Sequence, residues 1–152
     1  MKKIIIGSDH AGFELKEKIG EYLRQSGYSP EDIGIHKKPA DTENCHYPLI
    51  AREAARRIVS GEFPLGILVC GTGIGMSIAA NKVRGIRAAA VGSVTDARYA
   101  RSHNDANILC LGERTMGEKT ALEIVEKFLS TDFESEERHR KRIAMIAEME
   151  NE

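Results

Sequence analysis

The strongest constraint on this chain is an alternation between two kinds of segment. Short apolar runs recur, and each is followed by a longer stretch with apolar residues every three or four positions. "KKIIIG" (2–7), "LGILVC" (65–70), "RAAAVG" (87–92) and "NILCLG" (107–112) read as strands, and "YSPEDIGI" (28–35) as a weaker one. Between them, Leu15, Ile19 and Leu23 mark a helix that Gly27 would stop. Pro48 suits the first turn of a helix whose Ile50, Ala54 and Ile58 face inward, with Gly61 past its end. Further helices are predicted over 74–83, about 95–103, about 117–129 and, strongly charged, about 136–150. Strands that are apolar on both faces need helices on both sides. The predicted fold is therefore α/β: a three-layer, doubly wound, five-stranded parallel sheet, Rossmann-like with flavodoxin-type strand order. An extra C-terminal helix completes one domain over residues 1–152.

Right-handed crossovers put every strand-to-helix loop at the carboxyl edge of such a sheet. Three polar segments fall in those loops: Ser8-Asp9-His10, Cys70 to Gly75, and the stretch around Glu113-Arg114. Net charge is −1, from 22 basic and 23 acidic residues, so nothing global favours nucleic acid or an anionic membrane. Met1-Lys2-Lys3 leads into only three isoleucines, too short for a signal core or a membrane span, and a cytoplasmic protein is expected. Cys45, Cys70 and Cys110 lie far apart without a C-x-x-C, which indicates neither a zinc site nor a disulfide framework.

The turn "CGTGIGMSIAANK" carries Gly71, Gly73 and Gly75, with Met76 following. That spacing does not fit the dinucleotide pattern G-x-G-x-x-G, and no Gly-Lys-Ser/Thr follows for a nucleotide phosphate loop. What remains is a nest of backbone N–H groups at a helix start, suited to a phosphate or a developing oxyanion. The competing reading is that the glycines only let the helix pack tightly on the sheet. Cys70 stands immediately before this nest, where a thiol can have its proton affinity lowered. A proton-moving or nucleophilic thiol fits there, while Cys110, inside an apolar run, reads as an inert core residue.

Asp9 and His10 could bond a sugar hydroxyl or a phosphate, or Ser8 and Asp9 could simply cap a helix. His103 and Asn104 sit at a helix end before a strand, and Arg138 and Arg142 lie one turn apart on the last helix. Paired arginines can hold a phosphate, although such a charge run is also what a solvated face looks like.

Taken in order, "GSDHAGFELK", "CGTGIGMSIAANK", "GIRAA", "RSHNDANIL" and "ERHRKR" resemble the B-type ribose-5-phosphate isomerase family, which includes the subunits of galactose-6-phosphate isomerase. The likeness runs nearly end to end. It implies a five-stranded doubly wound sheet and aldose–ketose isomerisation of a sugar phosphate in the pentose phosphate pathway, with no metal and no cofactor. It implies that Cys70 takes the proton beside the carbonyl, that Gly71, Thr72, Gly73, Ile74 and Gly75 stabilise the enediolate, and that His103 helps open the sugar ring. Thr72 would also lie close to the sugar hydroxyls. Asp9, His10 and Tyr47 match substrate-contacting positions, Asp9 counted also among the catalytic ones. Asn104, Arg114, Arg138 and Arg142 match ligand and phosphate contacts.

In the family, sites form between two subunits. A homodimer or homotetramer is therefore expected, with Ile143, Ile146 and Met149 of the last helix at an interface and no nucleic-acid or membrane partner. The chain departs from the family pattern at His46-Tyr47-Pro48, where Asp-Tyr-Pro is usual, and at Ser135-Glu136-Glu137, where Gly-Gly is common. The alternatives are an isomerase of a six-carbon sugar phosphate, such as allose or galactose 6-phosphate, and a sugar-phosphate sensor without turnover.

Overall fold

In the computed structural model, which describes residues 1–36 and 46–152, the apolar runs become five strands of one parallel sheet. They are β1 (Lys2–Ser8), β2 (Tyr28–Asp32), β3 (Gly66–Cys70), β4 (Ala88–Ala90) and β5 (Ile108–Gly112). The helices are α1 (Phe13–Gln25), α2 (Tyr47–Val59), α3 (Ile74–Ala80), α4 (Val94–Ser102), α5 (Glu118–Ser130) and α6 (Glu137–Met149). Gly27 and Gly61 close α1 and α2 with φ of 82° and 81°, the left-handed backbone that glycine adopts without penalty. Cys45 lies outside the described residues.

Side chains alternate across the strands. Ile4, Ile6, Ile67, Val69, Leu109 and Leu111 face the layer of α1, α4 and α5. Ile5, Leu68, Cys70, Ile108 and Cys110 face α2 and α3. Each such apolar side chain contributes roughly 1.5–3 kcal/mol through burial, which is why both faces must be covered.

The strand order is β2-β1-β3-β5-β4, and this corrects the expected flavodoxin-type order. β5 lies between β3 and β4, whereas a flavodoxin-type sheet would put the fourth strand there and the fifth at the edge. The physical reason lies in burial. Every residue of β5 is buried, while β4 is three alanines that stay partly or fully exposed. An alanine strand has little apolar surface to hide and can afford the edge.

Two asparagines finish that edge. Asn81 accepts from the Ala88 N–H and donates to the Ala88 carbonyl, both at 2.8 Å, in the manner of a neighbouring strand. This draws the chain out of α3, which ends at Ala80 rather than near residue 83. Asn107 does the same for the segment before β4, accepting from Arg87 N–H at 2.8 Å and donating to Gly85 O at 2.9 Å.

Lys16 is fully buried on the inward stripe of α1. Its ammonium pairs with Asp32 at the end of β2, with Glu17 at 2.8 Å and with the Ile35 carbonyl at 2.9 Å. Removing one partner of such a buried pair costs about 3–5 kcal/mol, because the other charge is left stranded. The contact fixes the segment leaving β2. At the opposite extreme, α6 has a single buried residue, His139, while Met145, Ile146 and Met149 are exposed. No helix among the described residues is long and apolar enough to cross a membrane.

Candidate active site

Cys70 is the last residue of β3, a strand flanked by β1 and β5. Its Sγ accepts a hydrogen bond from the Gly73 N–H at 3.1 Å. Cys70 is 4% exposed, at the floor of a turn whose Thr72 and Ile74 are exposed. Gly73 has a φ of 77°, and a Cβ there would lie 2.9 Å from the Leu111 carbonyl carbon. The turn is thus pressed onto β5, which only glycine permits. Thr72 Oγ1 accepts from the Ile74 N–H at 3.3 Å.

Cys110 is the contrasting case. Complete burial, with Cys70 nearby, pushes its thiol well above the ordinary range, so it stays protonated and unreactive. The inert core residue read from the sequence is what the fold contains.

Two side chains from other elements close over the turn. A Cβ on Gly75 would meet the Tyr47 ring at 2.7 Å, which places the ring of the first residue of α2 close against the start of α3. A Cβ on Gly71 would meet the Arg114 guanidinium at 3.1 Å. The loop after β5 is latched to the turn by the backbone, Glu113 N–H to Cys70 O at 2.9 Å and Arg114 N–H to Gly71 O at 3.0 Å. Glu113 also accepts from Leu15 N–H at 2.9 Å, tying the same loop to α1.

Asp9 and His10 follow β1 at this same edge. Asp9 is buried, and its Oδ1 accepts from the N–H groups of Ala11 at 3.0 Å and Gly12 at 3.2 Å. One carboxylate oxygen therefore performs the capping that the sequence allowed as an alternative. Nδ1 of His10 and Oγ of Ser8 are buried with no hydrogen-bond partner among the described residues.

The remaining predicted residues lie elsewhere. His103 caps the C-terminal end of α4, and the Asn104 carbonyl accepts from Arg87 just before β4. Both therefore sit at the amino edge, a strand length of at least about 13 Å from Cys70. Arg138 and Arg142, on α6, are exposed. Arg138 pairs with its neighbour Glu136 at 3.0 Å. α6 is tied to the amino edge at both ends, by Glu134 N–H to Ser102 O at 2.9 Å and by Gly85 N–H to Glu150 Oε1 at 2.8 Å. A groove of about 630 Å³ runs between the β4 edge and α6, lined in part by Ala88, Tyr99, Asn104 and Ile146.

The expected constellation is thus divided. Asp9, His10, Tyr47, Cys70, Gly71–Gly75 and Arg114 gather at the carboxyl edge. His103, Asn104, Arg138 and Arg142 gather at the other.

The ribose/galactose isomerase profile matches residues 4–146. The chain belongs to that family. It is 43% identical over 148 residues to ribose-5-phosphate isomerase B of Mycobacterium leprae, covering 97% of this chain and 90% of the relative. Among solved structures, the Clostridium thermocellum ribose-5-phosphate isomerase B superposes with a TM-score of 0.92 at 47% identity, covering 98% and 97% of the two chains. The Mycoplasma genitalium ribose-5-phosphate isomerase B, solved with bound ribulose-5-phosphate, gives 0.90 at 41% identity over 99% of each chain.

In this ribose/galactose isomerase chain, two residues that the linear sequence did not mark surround His103. The His139 ring stacks on it, centroids 4.4 Å apart and planes 18° from parallel, and Glu134 Oε2 lies 3.7 Å from its Nε2. Burial, together with the nearby His103 and Arg138, holds the His139 imidazole below the usual histidine range. Donor atoms of His103, Glu134 and His139 all lie within 4.8 Å of one another.

Proposed function

We propose that this protein interconverts ribose 5-phosphate and ribulose 5-phosphate by proton transfer through an enediolate. The observation that carries the reading is the Gly73 amide on Cys70 Sγ, at the carboxyl end of an interior strand and beneath a turn whose Thr72 and Ile74 are exposed. The Cys70 thiolate takes the proton from C2 of the open-chain aldose, and the electron pair moves onto the C1 carbonyl oxygen to give the enediolate. The C2 hydroxyl proton passes to O1, and the Cys70 thiol returns its proton to C1, which completes the ketose and restores the thiolate. An α-proton of this kind is weakly acidic, so the reaction needs both a tuned base and donors aimed at the developing oxyanion. Amides of Gly71 to Gly75 supply those donors, with Thr72, Asp9 and Tyr47 around the sugar.

His103 opens the ring form. His10, Asn104, Arg114, Arg138 and Arg142 hold the remote hydroxyls and the phosphate, which serves as a handle for binding energy. Because one chain carries these groups on opposite edges, the working unit is a homo-oligomer in which a second copy brings its amino-edge group to this chain's turn. The exposed Ile146 and Met149 of α6 favour the same assembly. The reaction belongs to pentose phosphate metabolism in the cytoplasm, where thiols stay reduced.

The test is incubation with ribose 5-phosphate in D2O, with and without a chelator, beside a panel of six-carbon aldose 6-phosphates. Deuterium entering at C2, unaffected by the chelator and fastest for the pentose, is the expected outcome. Higher kcat/KM on allose or galactose 6-phosphate would transfer the assignment to the six-carbon reaction. Binding without exchange would make the protein a sensor.

A further inference from the structure

α6 presents a conflict between charge and anchorage. It carries Arg138 and Arg142, two of the three arginines assigned to the substrate hydroxyls and phosphate, yet only one of its residues is buried. That residue, His139, stands directly after Arg138 and one turn before Ile143. It is 3% exposed, and its ring stacks on that of His103. His103 is also in ring contact with Tyr99, with centroids 4.6 Å apart and planes at 40°. The His103 ring therefore touches two aromatic side chains, one from its own helix and one from α6. Three facts converge: the ring is stacked, the residue stacked on it is the sole buried residue of its helix, and that helix bears Arg138 and Arg142.

We infer that His139 is a positioning residue whose ring, stacked on His103, fixes the orientation of that imidazole and fastens the helix carrying Arg138 and Arg142. The inference rests on the reading of His103 as the ring-opening group. Aromatic stacking in a buried setting is directional, and an imidazole misplaced by an ångström loses most of its value as a proton donor. Loosening the contact would therefore do two things at once. It would free the His103 ring, and it would let the phosphate-binding arginines wander.

The buried Nε2 of His139 has no hydrogen-bond partner among the described residues. Replacing it by Phe keeps a flat ring and removes a desolvated polar atom, so His139→Phe should fold at least as well as the parent. His139→Ala removes the ring altogether.

The experiment compares His139→Ala, His139→Phe and His103→Asn in the full chain, using two reactions. One is conversion of ribose 5-phosphate, which begins from a ring. The other is exchange of the C1 hydron of ribulose 5-phosphate into D2O at saturating ketose, which reaches the enediolate without a ring. His139→Ala is expected to lower aldose kcat by tenfold or more and to raise KM for both sugars, while ketose exchange stays within about threefold of the parent. His139→Phe should recover most of the aldose rate. The His103 Hε1 proton resonance should shift in His139→Ala, reporting the lost stack independently of turnover.

The inference is overturned if Phe is no better than Ala, if exchange and aldose turnover fall together, or if the Ala variant behaves as the parent. If His103→Asn itself spares aldose turnover, the ring-opening assignment fails and this inference fails with it. If His103→Asn is impaired and His139→Ala is not, only the positioning role is lost.

Discussion

The amide of Gly73 points at the sulfur of Cys70 across 3.1 Å. The donor is fixed because Gly73 sits at a φ of 77° against the backbone of β5. Gly73→Ala would impose a strained left-handed alanine, costing about 1–2 kcal/mol before any clash with Leu111. Thermal unfolding should fall by roughly 4 °C or more for a chain of this size. Turnover should fall further than stability explains, because the amide moves off the sulfur. Unchanged kcat in a folded Gly73→Ala protein would remove this amide from the mechanism.

Tyr47 and Gly75 occupy one space. Adding a Cβ at Gly75 forces the Tyr47 ring away, and the ring, being the far end of a partly exposed side chain, can leave. Gly75→Ala should therefore change stability little and lower kcat/KM to about the level of Tyr47→Ala. The double variant should be no worse than either alone, a non-additivity that kinetics on the four proteins will measure. Simple additivity would mean that the two act separately.

The division of groups between two sheet edges makes a quantitative prediction about mixed assemblies. Cys70→Ala and His103→Asn are each expected to lower turnover by about a hundredfold or more. Unfolding and refolding them together at equal amounts should restore about a quarter of the parent activity if sites are shared across a two-fold interface. Half of the dimers are then mixed, and each mixed dimer has one intact site of two. No recovery on mixing would show that both groups act within one chain.

Acid should weaken the protein through His139. Its folded-state imidazole binds a proton less readily than the same group in the unfolded chain, so the unfolded state takes up the extra proton. The stability associated with the neutral ring is complete above the unfolded value, about pH 6.5, and is lost as pH falls from there through the depressed folded value. Thermal unfolding followed from pH 7.5 to pH 5 should decline more steeply for the parent than for His139→Phe, which has nothing to titrate. Parallel curves would assign the acid sensitivity to other groups.

Most of the framework was legible in the linear sequence because it is written locally. Three- and four-residue spacing located the helices, glycines marked their ends, and unbroken apolar runs located buried strands. The glycine turn after Cys70 could be read as an amide nest because turn geometry depends on a few adjacent residues. Even the burial of Lys16 was within reach, since it falls on the same helical stripe as Ile19 and Leu23.

Contacts that join distant segments were not legible. Which strand takes the sheet edge depends on a comparison between the poorly covered alanines of β4 and the fully buried β5, which no single window contains. The stack of His139 on His103 exists only because α6 folds back across the end of α4. The sequence by itself determined the elements, their two-sided burial and the thiol beside its amides, since these follow from periodicity and backbone freedom over a few residues. The tertiary structure alone decided the strand order and the partner of His103, and it set the candidate groups on opposite edges of the sheet, because side-chain packing between remote segments has no local code.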